Sequence, residues 1–256
     1  MNVPTSAAVS LAFALAAAPT VLAAQEHTAP RSAVVDARGA SLVRVDARAG
    51  SLRVEGRPGL TEVRVRGTAR ANRERDLEGI RLIAERRGDQ VHVEVVMPRE
   101  TVLLGSIRRV LDLVVEVPEG IAADVDDSSG EAVIRRVGNL RVEDSSGELE
   151  IEDVRGDVRV TDSSGALSIV RVAGDVWVSD GSGELRVHDV RGGVTVDEDG
   201  SGEMDIRDVA GDVLVREDGS GGIRVDRVGG NLTVQDDGSG GVRVARVAGT
   251  VRLPRS

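Results

Sequence analysis

Seven aspartates hold one place in a recurring Asp-[Ser/Gly]-Ser-Gly motif: Asp127, Asp144, Asp162, Asp180, Asp199, Asp218 and Asp237. If the repeats stack, these side chains form a column along one edge, with like charges about 4.8 Å apart. Such a row repels itself unless solvent, backbone N–H groups, Arg or a cation offsets it. Calcium suits carboxylates and turn carbonyls at that spacing. The plainer chemistry is local: each Asp accepts a hydrogen bond from the backbone two residues on and caps its own turn, with Ser helping. The calcium-binding β-roll repeat wants Asp two places after its second Gly. Leu149, Leu167 and Leu185 stand there, so that motif is not met. No metal ligand and no cofactor are assigned, and calcium stays open at the Asp ladder alone.

The Ser of the motif recurs as faithfully, at Ser129, Ser146, Ser164, Ser182, Ser201, Ser220 and Ser239. A nucleophile needs one base and one orienting group, not a row of copies. Of three His, His27 lies near the N-terminus, and His92 and His188 are far apart in sequence. Strand alternation turns His188 outward into solvent. No catalytic residue is assigned, and the chain is read as a non-enzyme. Contact residues belong on an outward column, Arg141, Arg159, Trp177, Thr195, Leu214, Thr233 and Arg252. Trp177 and Leu214 are its large apolar members and the candidate partner contacts. Leu214 separates Thr195 from Thr233, so the flat Thr array of ice-binding solenoids is not present.

The elements that carry these columns follow from the repeat. The motif ends at Gly130, Gly147, Gly165, Gly183, Gly202, Gly221 and Gly240, with spacings of 17, 18, 18, 19, 19 and 19. Apolar residues keep fixed offsets: Leu149, Ile151, Val154, Val158 and Val160 in one unit, Met204, Ile206, Val209, Val213 and Val215 in another. The last unit reads Val242, Val244, Val247, Val251 and Leu253. Pairs two apart mean short strands with one buried face, two per unit. Gly156, Gly174, Gly192, Gly211, Gly230 and Gly249 mark the corner between them, where positive φ is expected. So short a unit cannot bury its apolar face alone, but stacked units make a continuous core. The fold class predicted is all-β: a single-stranded β-solenoid, or parallel β-helix, right-handed by the general crossover preference. An antiparallel sandwich would not keep one register through seven units.

Composition agrees. Of 256 residues 40% are hydrophobic, yet there is one Trp, one Phe and no Tyr, so Val, Leu, Ile and Ala must build the core, and β-branched side chains favour strands. The net charge of −10 argues against nucleic acid. Absence of Cys excludes disulfides, thiol catalysis and cysteine zinc sites. Residues 1–125 carry 17 Arg against 16 acids, and 126–256 carry 16 Arg against 27 acids, so the acidity belongs to the repeats. An apolar run from Ala7 to Ala18 before Pro19 reads as part of a signal peptide over 1–24, followed by a tail over 25–32. Residues 33–125 read as an irregular β region that caps the first coil, with a hairpin around Arg87-Gly88-Asp89. The β-solenoid of seven 17–19-residue coils covers 126–253. No later stretch is apolar enough over about 20 residues to anchor in a membrane. The chain is expected to be exported, to the periplasm, cell surface or medium.

The signal peptide, the Val117-Pro118-Glu119-Gly120 segment after a strand, and the tandem Ser-Gly-Glu-Leu-x-Val and Gly-Asp-Val-x-Val units together resemble the bacterial "putative adhesin" family of secreted β-solenoid domains. The resemblance covers about residues 33–253. It implies a binding or scaffold module directed at a protein or cell-surface ligand, and it brings no catalytic residues. The first unit departs from the pattern at Ala132 and is one residue short before Leu140. The runner-up function is a self-assembling structural element, a homo-oligomer pairing through its open C-terminal coil. A carbohydrate-active β-helix enzyme ranks third, since sugar-facing aromatics are missing.

Overall fold

The computed structural model describes residues 26–98 and 108–254. The segment 1–24, read from the sequence as a signal peptide, lies outside the described residues. The upstream part forms β1 (His27–Asp36), β2 (Leu42–Asp46), β3 (Leu52–Arg57), β4 (Glu62–Ala71), helix α1 (Glu74–Gly79), β5 (Arg81–Arg87), β6 (Gln90–Val96), β7 (Arg109–Pro118) and β8 (Ala122–Asp127). The repeats supply β9 (Ala132–Arg135), β10 (Leu140–Asp144), β11 (Leu149–Val154), β12 (Val158–Asp162), β13 (Leu167–Val172), β14 (Val176–Asp180) and β15 (Leu185–Val190). They continue as β16 (Val194–Asp199), β17 (Met204–Val209), β18 (Val213–Glu217), β19 (Ile223–Val228), β20 (Leu232–Asp236), β21 (Val242–Val247) and β22 (Val251–Arg252).

Alternation of apolar and polar residues makes each strand bury one face, and parallel stacking lines up those faces. Two eleven-stranded sheets result. Odd-numbered repeat strands follow one another in sheet A, even-numbered ones in sheet B. Like residues lie over like residues: Leu149 pairs with Leu167, Leu167 with Leu185, Val158 with Val176, and Val176 with Val194. The inward aliphatics of β11 to β20 are fully buried between the sheets in one continuous core. This is the β-solenoid the repeat predicts. The first unit joins it despite its departures. Ala132 is buried and pairs with Leu149, and Leu140 pairs with Val158. The lengthening to 19 residues is taken up as an irregularity against β14 between Val178 and Ser179, after which Asp180 again meets Asp199.

Two expectations are corrected. The corner glycines such as Gly174 do not adopt positive φ; a Cβ there would lie 2.3 Å from the Asp157 carboxylate and 2.7 Å from the Gly156 carbonyl oxygen, so the demand is for room. Positive φ falls instead on the motif glycine, Gly165 at 138° for example.

The second correction concerns the upstream region, which is more regular than an irregular cap. In sheet B, β2 lies parallel between β6 and β8, and in sheet A, β3 lies parallel between β7 and β9. The rung made by β2 and β3 is thus interleaved into the column, with the β6 and β7 rung below it. No local pattern shows this, because each strand alternates alike whatever its neighbour. Nor do residues 27–32 form a tail, since they open β1, which pairs with β4. Capping falls to the antiparallel strands: β4 and β1 beyond β7, and β5 beyond β6. Arg31 of β1 ties α1 down, its guanidinium donating to the Leu77 and Ile80 carbonyls at 2.6 and 2.8 Å. Asp76 of α1 pairs with Arg109 of β7 at 2.9 Å, both nearly buried.

Candidate functional site: a buried acid column and an outward stripe

The aspartates do stack, but not on a solvent edge. In Val158-Arg159-Val160-Thr161-Asp162 the third inward position is the Asp, and the same holds at Asp144 and Asp180. Asp127, Asp144, Asp162, Asp180, Asp199 and Asp218 are each at most 4% exposed. They meet in register from Asp127 to Asp144, Asp162, Asp180, Asp199 and Asp218. Asp237, in the last coil, is half-buried. Alternation alone carries this inward placement, and the edge reading overlooked it.

The turn-cap reading holds at two positions. The Ser164 and Ser182 backbone N–H groups donate to Asp162 and Asp180 Oδ1, each at 3.2 Å. Elsewhere the backbone N–H groups of Ser128 and Ser129 beside Asp127, of Ser145 and Ser146 beside Asp144, and of Ser201 beside Asp199 favour the charged form but fall outside hydrogen-bond geometry. Neither carboxylate oxygen of Asp127, Asp144, Asp199 or Asp218 has a hydrogen-bond partner, nor does Oδ2 of Asp162 or Asp180. Ser does not fill the gap, since Ser146 and Ser164 hydroxyls donate to carbonyls of the coil below at 3.3 Å. Burial, followed by repulsion from the neighbouring aspartates, raises Asp127, Asp144 and Asp180 to about 6 and Asp199 to about 7. Asp218 rises to about 6 through burial, then through Asp237 and Asp236. Asp162 is also raised by burial. Among the described residues no cluster of three or more His, Cys, Asp or Glu is arranged to hold a metal ion.

On the outer face of sheet B the stripe runs in register through Arg159, Trp177, Thr195, Leu214, Thr233 and Arg252. Trp177 and Leu214 are half-buried. The Arg159 guanidinium lies over the Trp177 ring, 5.3 Å from its centre. Two shallow grooves flank this ring: Asp124, Arg141 and Arg159 line one, and Asp175, Thr195, Asp212 and Leu214 line the other. His188 is half-buried on sheet A, 3.7 Å from Asp205, with its pKa lowered chiefly by burial.

Two further columns were not read from the sequence. At one corner, Asp175 N–H donates to Asp157 Oδ1 at 3.0 Å, Gly193 N–H to Asp175 Oδ1 at 2.7 Å, and Asn231 N–H to Asp212 Oδ1 at 2.6 Å. Asp or Asn before the first inward Val or Leu of the strand is the signal. Four residues earlier in each coil after the first, on the approach to the same corner, stands a left-handed residue that is not Gly; with the first coil's Arg136 the column is Arg136, Asp153, Arg171, Asp189, Asp208, Arg227 and Arg246, with φ of 52–62°. Opposite charges pair along this corner, Arg171 with Asp153 and Arg227 with Asp208. The shared offset, one residue before an inward Val, marks the column in the sequence but not its left-handed φ.

No family model matches the chain, and no curated protein matches it. Among solved structures, it is similar to a "putative adhesin" of Bacteroides fragilis, with 9% identity, a TM-score of 0.49, and coverage of 89% of this chain and 97% of that one. A "putative lipid binding protein" of Parabacteroides distasonis shares 11% identity at a TM-score of 0.42, over 87% and 96% of the two chains. A "putative cell adhesion protein" of Clostridium sporogenes shares 12% identity at a TM-score of 0.31, over 90% and 100%. Among the described residues, no helix is long and apolar enough to cross a membrane.

Proposed function

We propose that the chain is a non-enzymatic binding or scaffold module, adhesin-like, that works outside the cytoplasm at the cell surface or in the periplasm. The observation that carries this reading is the unbroken outward stripe of sheet B, on which the one Trp of the chain and Leu214 stand in register on a rigid face. Rigid, in-register faces present contacts at little ordering cost, and an aromatic with a cationic neighbour is a common anchor of interfaces. The grooves beside Trp177 are shallow and acidic at one side, which suits an extended partner with apolar and basic groups. The test is saturable binding of the labelled chain to immobilised mucin, collagen and purified peptidoglycan. Binding to one of them that weakens at least tenfold in a Trp177→Ala, Leu214→Ser double variant supports the reading. Lack of saturable binding, or binding indifferent to the variant, overturns the stripe as the contact face.

A second reading, end-to-end pairing with a second copy, is favoured by the last coil. Val242, Val244 and Val247 are only half-buried, and Val251 and Leu253 are 42% and 45% exposed, where the matching residues below are buried. This rung offers the same apolar set and free strand edges that every lower rung offers to the next, so the surface that fits it is a rung of the same pattern.

A further inference from the structure

We infer that the stacked aspartic acids bind protons as one unit, making the solenoid wall a proton-loaded column that is tightest in mildly acidic surroundings and loosens as they become neutral. The geometry requires some partner. Six carboxyl groups are buried in a row, one per rung; the turn N–H groups beside them only partly offset their charge, and most of their oxygens accept no well-formed hydrogen bond. An ionised carboxylate only accepts hydrogen bonds, so a row of carboxylates cannot satisfy itself. A protonated carboxyl donates one, so a row with added protons can bond along the axis from rung to rung. Like charges this close in a dry wall cannot all ionise together. The charged groups bearing on the column are all acids. Asp126 of the same strand acts on Asp127, and Asp236 and Asp237 from the coil above act on Asp218. No Arg or His from either sheet acts on Asp144, Asp162, Asp180, Asp199 or Asp218. The proton is therefore the ligand that fits, and the raised acidities agree with the geometry.

The sign follows from linkage. The folded column holds protons that the unfolded chain, with ordinary Asp acidity near 3.9, gives up. Stability from the column is complete below about pH 4 and is lost as pH rises through about 6 to 7, the folded values of these residues. The experiment is a set of thermal melts of the chain from residue 25 onward, from pH 4 to 8, with proton release on urea unfolding at pH 5.5 followed by an indicator dye in weak buffer. The expected result is a midpoint that falls by several degrees between pH 4.5 and 7, and a release of more than one proton per chain. An Asp162→Asn, Asp180→Asn, Asp199→Asn variant should flatten the profile and release fewer protons. A midpoint that is flat or rises over that interval, or unfolding without proton release, overturns the proposal. If the variant does not fold, the wild-type release still decides. A calcium-dependent rise in midpoint at pH 7.5 that chelator reverses would also overturn it, since a metal would then be the ligand.

Discussion

Gly165 and Gly59 both have positive φ, at 138° and 71°, yet only one is enclosed. A Cβ on Gly165 would stand 1.6 Å from the Gly147 carbonyl oxygen, whereas on Gly59 it would meet nothing within 4 Å. Gly165→Ala should therefore cost more than about 3 kcal/mol, as backbone must move as well as strain be borne, while Gly59→Ala should cost about 1–2 kcal/mol. Urea unfolding of the two variants checks the contrast; equal losses would mean that the coil yields at the motif turn. At this scale the sequence is legible wherever period two holds. Asp144 follows Leu140 and Val142 on one face and needed no further signal to be placed inside. Arg171 in a left-handed corner is another matter, because a long charged side chain carries no local mark of that conformation. Its φ of 62° is imposed by the corner, and the ion pair to Asp153 at 2.5 Å fastens it there.

Strands β11 to β20 each have a covered neighbour on both sides, while β21 and β22 end their sheets. In an array whose stability is a sum of units and nearest-neighbour interfaces, the last unit lacks one interface and opens first. Amide exchange should be slowest in β12 to β15 and fastest by at least an order of magnitude in β21 and β22. Equal protection along the column would instead mean that it opens only as a whole, or that a second copy covers the end. The repeat strands were legible because their apolar offsets recur. The order of β2, β3, β6 and β7 was not, since pairing partners of alternating strands depend on register and connection, which single segments do not encode.

For the whole molecule, the acidity of the repeats and the open apolar rung pull in opposite directions. Net charge keeps copies apart, whereas on the proposed end-to-end pairing the exposed Val251 and Leu253 would draw ends together. Light scattering should show a mass that rises with protein concentration and more readily in high salt, where charge is screened. A Val244→Glu variant should stay monomeric; a wild-type mass constant in both salt regimes rejects end-to-end pairing. The architecture of coils was legible in the chain, as was the need for a cap, but not how the cap is tied in. That interleaving also sets an order of assembly. The rung of β2 and β3 emerges early, yet both its neighbours, β6 with β7 and β8 with β9, are made later. It has no neighbour on one side until residue 118 and none on the other until residue 135 has followed, so the first half of the chain must close as one body before any coil can count on a finished template. Each later coil then needs only the coil before it, and the column lengthens in the direction in which the chain arrives.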